Sequence, residues 1–390
     1  MIIQTASRIK EIQEYYFSRK LKEIAQLRSE GNHILNLGIG SPDLPPDPSV
    51  VNRLKEEASN PKQHAYQSYL GHPDLREAFA KWYDKYFKVA LNPNSEILPL
   101  IGSKEGIMHL SMTFLEEGDE VLIPNPGYPT YISASKLAGA TAILYTLSAE
   151  NNWLPNLEEL AKLNLEKVKI MWLNYPHMPT GAQADKSFFK QLVVFAKKYK
   201  ILLVNDNPYA FILNKNQNSL LSTEGAKEVA IELNSLSKSH NMAGWRLGMM
   251  AADQQYIKEV LKFKTNMNSG MFLPVQLAAI EALNLPESWY EKQNLEYEKR
   301  QLKAFKLLDQ LECSYDRNAV GMFVWAKVPD KYKDAYELSD ELLYKAGVFL
   351  TPGGIFGSQG EKYIRISLCS SIELIEEAIC KIASLVTTKN

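Results

Sequence analysis

From Ile97 to Leu236 the chain repeats one unit, an apolar run of strand length followed by a stretch with helical spacing. Strand-length runs fall at Ile97–Ile101, Glu120–Ile123, Ala142–Tyr145, Val168–Leu173, Ile201–Val204 and Val229–Leu236. Helical patterns at Pro73–Tyr86, Ser103–Leu115, Pro129–Leu137 and Lys186–Tyr199 lie before and between them. Short continuous apolar runs must be covered on both faces, and a helical connection returns each strand parallel to the last. The pattern predicts an α/β fold with a mostly parallel central sheet covered by helices.

Around Pro286 the pattern changes. A long charged helix is predicted from Glu287 to about Leu311, then mixed strands and helices that include Gly321–Lys327, Tyr363–Leu368 and Ser371–Leu385. At the other end, helical spacing from Ser7 to Glu30 stops at Gly31, and a short apolar run, His33 to Leu37, leads into Gly38-Ile39-Gly40-Ser41-Pro42-Asp43. The proline-rich stretch that follows reads as a linker, with Asp47 and Pro48 opening the next helix. A chain of 390 residues exceeds what one core usually carries. A large domain over residues 48–285 is therefore expected, with a smaller α+β domain built from 1–47 and 286–390 that closes over a substrate.

Several function classes are disfavoured. Forty-four Lys and Arg against 45 Asp and Glu give a net charge of −1, so no basic face is expected for nucleic acid or an anionic membrane. No apolar run approaches the ~18 residues of a membrane helix, and the charged N-terminus lacks a signal-peptide core, which suits a soluble cytoplasmic protein. Three cysteines, Cys313, Cys369 and Cys380, without a C-x-x-C pair, and six scattered histidines suit a reducing compartment and give no metal site. No G-x-G-x-x-G opens a helix after the first strand, which disfavours a nicotinamide enzyme.

Ligand sites in open α/β sheets gather at the carboxyl ends of strands. Four polar clusters fall there: Gly102-Ser103-Lys104, Asn174-Tyr175-Pro176-His177, Asp206-Asn207-Pro208-Tyr209 and Ser235-Leu236-Ser237-Lys238. Taken singly, each is ordinary loop chemistry: Lys238 a solvated lysine, Asp206 a loop acid, Tyr128 a turn aromatic, Ser103 a helix cap. Together they assemble a lysine, an acid, a tyrosine and phosphate donors. Arg246, eight residues after Lys238 in a glycine-punctuated loop, can fork onto a phosphate, and Ser235 can donate to it. A lysine desolvated near such charge becomes a nucleophile toward an aldehyde.

The Ser-x-Ser-Lys238…Gly244-x-Arg246-x-Gly248 pattern resembles the cofactor-lysine segment of fold-type I pyridoxal 5′-phosphate (PLP) enzymes, specifically the class I/II aminotransferase family. The likeness runs in family order from Gly38 to Arg365. It implies that Lys238 forms the internal aldimine and shuttles the proton between Cα and the cofactor's C4′. Asp206 would pair with the pyridine nitrogen and Tyr209 would donate to the phenolic O3′. Tyr128 would stack on the ring. Gly102, Ser103 and Lys104 would cradle the phosphate with Ser235 and Arg246, and Asn174 would lie beside the cofactor. Tyr69 matches the tyrosine that reaches the partner's phosphate, which implies a homodimer. Arg365 would take the substrate α-carboxylate, assisted by the backbone at Gly40. Thr351–Gly357 looks like the family's glycine-rich small-domain loop and is read as a turn.

One position departs from the family pattern. Where relatives carry Asn-Pro-Thr-Gly, this chain has Met178-Pro179-Thr180-Gly181. A thioether cannot donate, which leaves Tyr209 as the donor to O3′ unless His177, Asn174 or water substitutes. The dicarboxylate-reading arginine of some relatives is also missing from Asn266–Pro274, so Lys104, Lys264 or an N-terminal residue would have to replace it. Otherwise Met271, Phe272 and Tyr15 would favour neutral side chains. Aspartate, alanine, aromatic amino acids and longer donors such as diaminopimelate all remain open. The expected activity is ping-pong exchange of an amino group between an amino acid and a 2-oxo acid. A PLP-dependent β-elimination lyase shares the fold. A non-catalytic PLP or effector-binding protein is disfavoured, because no basic helix-turn-helix precedes residue 40. Loss of a donor to the phenolate makes the imine easier to protonate, so the hypothesis is a raised aldimine pKa. Met178→Asn should shift the visible-band titration to lower pH, and an unchanged midpoint would count against that hypothesis.

Overall fold

The structure, a computed structural model, describes residues 3–10, 12 and 16–387. Tyr15 lies outside the described residues. Strand β1 (Leu35–Asn36) is short and lies apart from the central sheet. That sheet contains β2 (Ile97–Leu100), β3 (Glu120–Asn125), β4 (Thr141–Thr146), β5 (Val168–Leu173), β6 (Leu202–Asp206), β7 (Ala230–Ser235) and β8 (Gly248–Ala252). Their order is β2-β8-β7-β6-β5-β3-β4. From β7 through β4 every pairing is parallel, which long crossover connections permit, while β8 runs antiparallel to both β7 and β2. Strand β8 was missed in the sequence, because Gly-Met-Met-Ala-Ala carries no β-branched or aromatic residue.

Alternation along the strands divides the core in two. Met171 and Leu173 enter one apolar cluster and Ile170 and Trp172 the other, so helices cover both faces. Trp172 is fully buried and stacks on Tyr131 at 4.8 Å. The helix Ser103–Phe114 begins three residues after β2, and Pro48–Ala58 starts where Asp47 accepts from the Ser49 N–H at 2.9 Å. Helices Gln254–Met267 and Leu273–Leu283 add two elements that the sequence reading left unassigned. The continuous N-terminal helix expected over residues 7–30 is instead Ser7–Lys10 and Tyr16–Ser29.

A second, antiparallel sheet lies beyond the long helix Glu287–Gln310. It uses β9 (Ser314–Tyr315) and β10 (Phe323–Lys327); β11 (Val348–Phe349) pairs separately, parallel to β1. β12 (Thr351–Pro352) and β13 (Tyr363–Ser367) complete it in the order β12-β13-β10-β9. Its apolar cluster joins the helices Glu287–Gln310 and Ile372–Thr387 through Leu307, Leu308, Ile375, Ala378 and Ile382. The Thr351–Gly357 stretch is more than a turn: β12 runs into a 3-10 turn, Gly353–Phe356, whose Phe356 is buried. Among the described residues no helix is long and apolar enough to cross a membrane, and the three cysteines are free thiols.

Candidate active site

The carboxyl ends of β5, β6 and β7 open into a cavity of about 530 Å³. Its lining includes Gly40, Ser103, Lys104, Tyr128, Asn174, Met178, Asp206, Tyr209, Ser235, Lys238, Arg246 and Arg365. Segments more than 300 residues apart in sequence thus meet around one space. Two of the residues assigned above to the phosphate site, Gly102 and Tyr69, do not line it. Gly102 lies just behind, where a Cβ would collide with the Arg246 guanidinium. Tyr69 is 44% exposed on the outer surface.

Lys238 sits on the one-turn helix Leu236–Ser239, which Ser235 caps at the end of β7. Its Nζ donates to the Gly40 carbonyl at 2.6 Å. Burial pushes its pKa below the ordinary lysine value; Cys369 and Asp206 oppose that, and the Arg365 and Arg246 charges add to it. Asp206 ends β6 and is 5% exposed. Tyr131 Oη donates to its Oδ2 at 3.1 Å. Oδ1 is buried without a hydrogen bond of good geometry, although Ser103 stands near enough to draw the pKa down. Burial wins, with a smaller contribution from the buried acid Glu232, and the carboxyl is pushed up to about 7.

Asn174 ties the strand ends together, with Nδ2 donating to the Asp206 carbonyl and Oδ1 accepting from Met178 N at 2.8 Å. His177 turns away. Its Nδ1 meets Thr180 Oγ1 at 2.8 Å, burial lowers its pKa to about 3, and it does not line the cavity. Ser235 and Ser237 share a hydrogen bond of 2.9 Å, and the Arg246 Nη1 lies 3.5 Å from Ser237 Oγ and 3.0 Å from the Ala243 carbonyl. Tyr209 is set edge-on to Phe323, and burial raises its hydroxyl pKa.

At the far end Arg365 projects from β13. Its Nη2 donates to the Gly38 carbonyl at 2.7 Å, and Nη1 lies 3.4 Å from the Met178 sulfur. The guanidinium sits 4.1 Å from the Phe323 ring centre, 4.7 Å from Phe356 and 5.6 Å from Phe17. Lys264, weighed above for side-chain recognition, is buried away from the cavity. It pairs with Asn268 Oδ1 at 2.6 Å and Glu105 at 3.8 Å. Neither Met271 nor Phe272 lines the cavity.

Other lining residues escaped the sequence reading. Ser237 is next to the lysine in the quoted motif. Tyr131 lies three residues past Tyr128, one helical turn along. Phe17 and Leu21 share an i, i+4 face of the helix Tyr16–Ser29. Phe323 and Phe356 carried no local signal, because only the tertiary fold brings them to Arg365.

These residues fit PLP. The unsatisfied Asp206 Oδ1 calls for a buried cationic N–H, such as a protonated pyridine supplies. The missing Cβ of Gly102 lets Arg246 lie against the start of Ser103–Phe114, where free backbone N–H groups favour an anion. Lys238 lines the same cavity.

Residues 32–382 match the family described as aminotransferase class I and II. An LL-diaminopimelate aminotransferase of Dehalococcoides mccartyi is 41% identical over 98% of both chains. One from Aquifex aeolicus is 39% identical over 98% of this chain and all of its own. Among solved structures, substrate-bound BacF from Bacillus subtilis is 36% identical, with a TM-score of 0.94 over 98% of each chain.

The Asp206 pKa yields a pH prediction for the cofactor-free protein. A carboxyl whose folded pKa lies near 7 and whose unfolded value lies near 4 binds its proton more tightly when folded. The resulting stability is fully present below about pH 4 and is lost as pH rises to about 7, a loss of up to a few kcal/mol. Urea unfolding across that range should show the decline, and Asp206→Asn should flatten it. Equal slopes in the two proteins would refute the assignment.

Proposed function

The chain belongs to the class I and II aminotransferase family, and from that premise we propose how its cavity divides the labour of transamination and which amino acid it takes. It is a PLP-dependent enzyme that exchanges an amino group between an amino acid and a 2-oxo acid. When bound, PLP supplies an aldehyde for the amino group and a conjugated ring that accepts the electron pair left at Cα. The observation that carries the assignment of roles is the meeting of Lys238 and Asp206 at one cavity.

Lys238 is the base that moves the proton between the substrate Cα and the cofactor's C4′, and its lowered pKa favours the neutral amine that this requires. Asp206 holds the pyridine nitrogen in its protonated state. Ser103, with the helix start behind it, holds the phosphate together with Ser235, Ser237 and Arg246. Tyr128 covers the ring and Tyr209 donates to the phenolic oxygen. Arg365 takes the α-carboxylate in its fork, and the rings of Phe323, Phe356 and Phe17 exclude water there, which strengthens the pairing.

The amino donor we assign is a long amino acid with a charged far end, of the diaminopimelate kind. Lys104, exposed on the first turn of Ser103–Phe114, brings a further cation to the cavity for a distal carboxylate. Leu21 and Ile39 supply an apolar wall for the methylene chain between the two ends. The name carried by the relatives at about 40% identity supports the same choice.

The working form we propose is a cytoplasmic homodimer, with Tyr69 completing the partner's phosphate site. Tyr66, Tyr69, Met267 and Phe272 are exposed, and Gly270 packs on the backbone of 67–68, which brings these two segments together. Three free thiols suit a reducing compartment. Residues 48–285 act as the large domain, and 1–47 with 286–390 close over the substrate.

Three results are expected. Lys238→Ala should lower transamination by at least about 100-fold. The wild-type cofactor band should convert to the amino form fastest with LL-diaminopimelate across a donor panel; ammonia and pyruvate release would mean elimination instead. Lys104→Met should raise KM for LL-diaminopimelate by roughly 10-fold or more and leave alanine nearly unaffected. Equal effects on the two donors would remove Lys104 from side-chain recognition.

A further inference from the structure

The stretch between β1 and the helix Pro48–Ala58 crosses the cavity as a strap. Among the described residues, no backbone-to-backbone hydrogen bond involves residues 39–46. Its carbonyls are nevertheless used at the site: Gly38 accepts from Arg365 at 2.7 Å and Gly40 accepts from Lys238 at 2.6 Å. An irregular segment held so loosely by its own backbone needs a fastening elsewhere.

Arg300 provides it. This residue is 2% exposed on the helix Glu287–Gln310, and it forks onto both carboxylate oxygens of Asp43, at 2.6 and 3.1 Å. Its Nη1 also donates at 3.0 Å to the carbonyl of Leu368, just past β13, and its Nε donates to Glu296 at 3.0 Å. One guanidinium therefore joins the strap to the end of the strand that carries Arg365. Nearer its start, the same helix grips the Lys238 turn. Trp289 Nε1 and Gln293 Nε2 both donate to the Ser239 carbonyl at 3.0 Å. Residues 289, 293, 296 and 300 follow i, i+4, i+7, i+11 spacing and share one face. The helix is thus a rod with the reacting amine's turn fastened near one end and the strap and β13 fastened about 10 to 16 Å further along.

We propose that Arg300 and Asp43 are positioning residues for transamination, setting the separation between the Lys238 amine and the Arg365 guanidinium by pinning the strap to this rod. The inference rests on the reading of Arg365 as the α-carboxylate fork. Neither Arg300 nor Asp43 lines the cavity, so their effect must pass through the groups they hold.

The test uses the PLP-loaded full-length enzyme and single-turnover conversion of the cofactor band. Two donors are compared: an L-amino acid and the matching primary amine that lacks the α-carboxylate. Asp43→Asn should slow the amino acid by roughly 10- to 100-fold while the amine, which uses Lys238 but not Arg365, keeps its rate. Arg300→Lys, which keeps the charge but loses the fork, should fall between Asp43→Asn and wild type. The cofactor band and its affinity should be unchanged in both. An unchanged amino-acid-to-amine ratio in both variants would overturn the proposal. So would equal slowing on both donors or loss of the band in both, since either marks a merely structural pair. Arg365→Leu serves as the control: if it leaves the ratio unchanged, the carboxylate reading itself fails, whatever the other variants do.

Discussion

A carboxylate buried at the end of a central strand is tolerable only when something brings it positive charge, and the site is organised around that constraint. Asp206 cannot retreat, because β6 lies in the middle of the sheet with β5 and β7 on either side. Tyr131 satisfies one oxygen from above, and its own ring is fixed by stacking on Trp172. The other oxygen is buried without a hydrogen-bond partner, and in the role proposed above a protonated pyridine would neutralise it. The acid also has an ionisable neighbour below: Glu232 on β7 is fully buried and accepts from Tyr83, Ser219, Asn205 and the Leu220 N–H. That network joins the neighbouring strands, and the Glu232 charge adds a smaller push to the burial that makes Asp206 favour its proton when no cation is near.

Much of the fold was legible because a parallel sheet leaves a strong mark. Strands buried on both faces read as apolar runs, and their helical connections keep a different period. What the pattern hid was physical rather than accidental. β8 has five small or flexible residues and depends on its neighbours for strand character. The helix Leu273–Leu283 is apolar nearly all round, so no amphipathic stripe marks it. The short strands β1, β11 and β12 exist through pairing with distant partners, which local sequence does not encode.

The site was legible in proportion to how locally its chemistry is written. Lys238, Arg246, Asp206 and Ser103 stand at strand ends in motifs of a few residues. Arg365 stood out as an arginine between apolar neighbours, but its aromatic surroundings come from residues 17, 323 and 356 and appear only on folding. Likewise, the sequence offered Lys264 as a charge available to a substrate. The structure commits it to Glu105 and Asn268, because a buried lysine must be paired.

The antiparallel course of β8 has a further consequence. Lys238 and Arg246 lie on one connection, residues 236–247, clamped at both ends between adjacent strands that pair Ser235 with Gly248. Lys238 and Arg246, assigned to the aldehyde and phosphate ends of the cofactor, are therefore spaced by a single loop whose two ends are paired to each other in the sheet. Apart from Lys104, most groups assigned to the substrate end come from the N-terminal helix, the strap and the second sheet with its adjoining turn. The cavity thus has a fixed half and an exchangeable half: changes in donor preference can accumulate on the latter without retuning the distances on which cofactor capture depends.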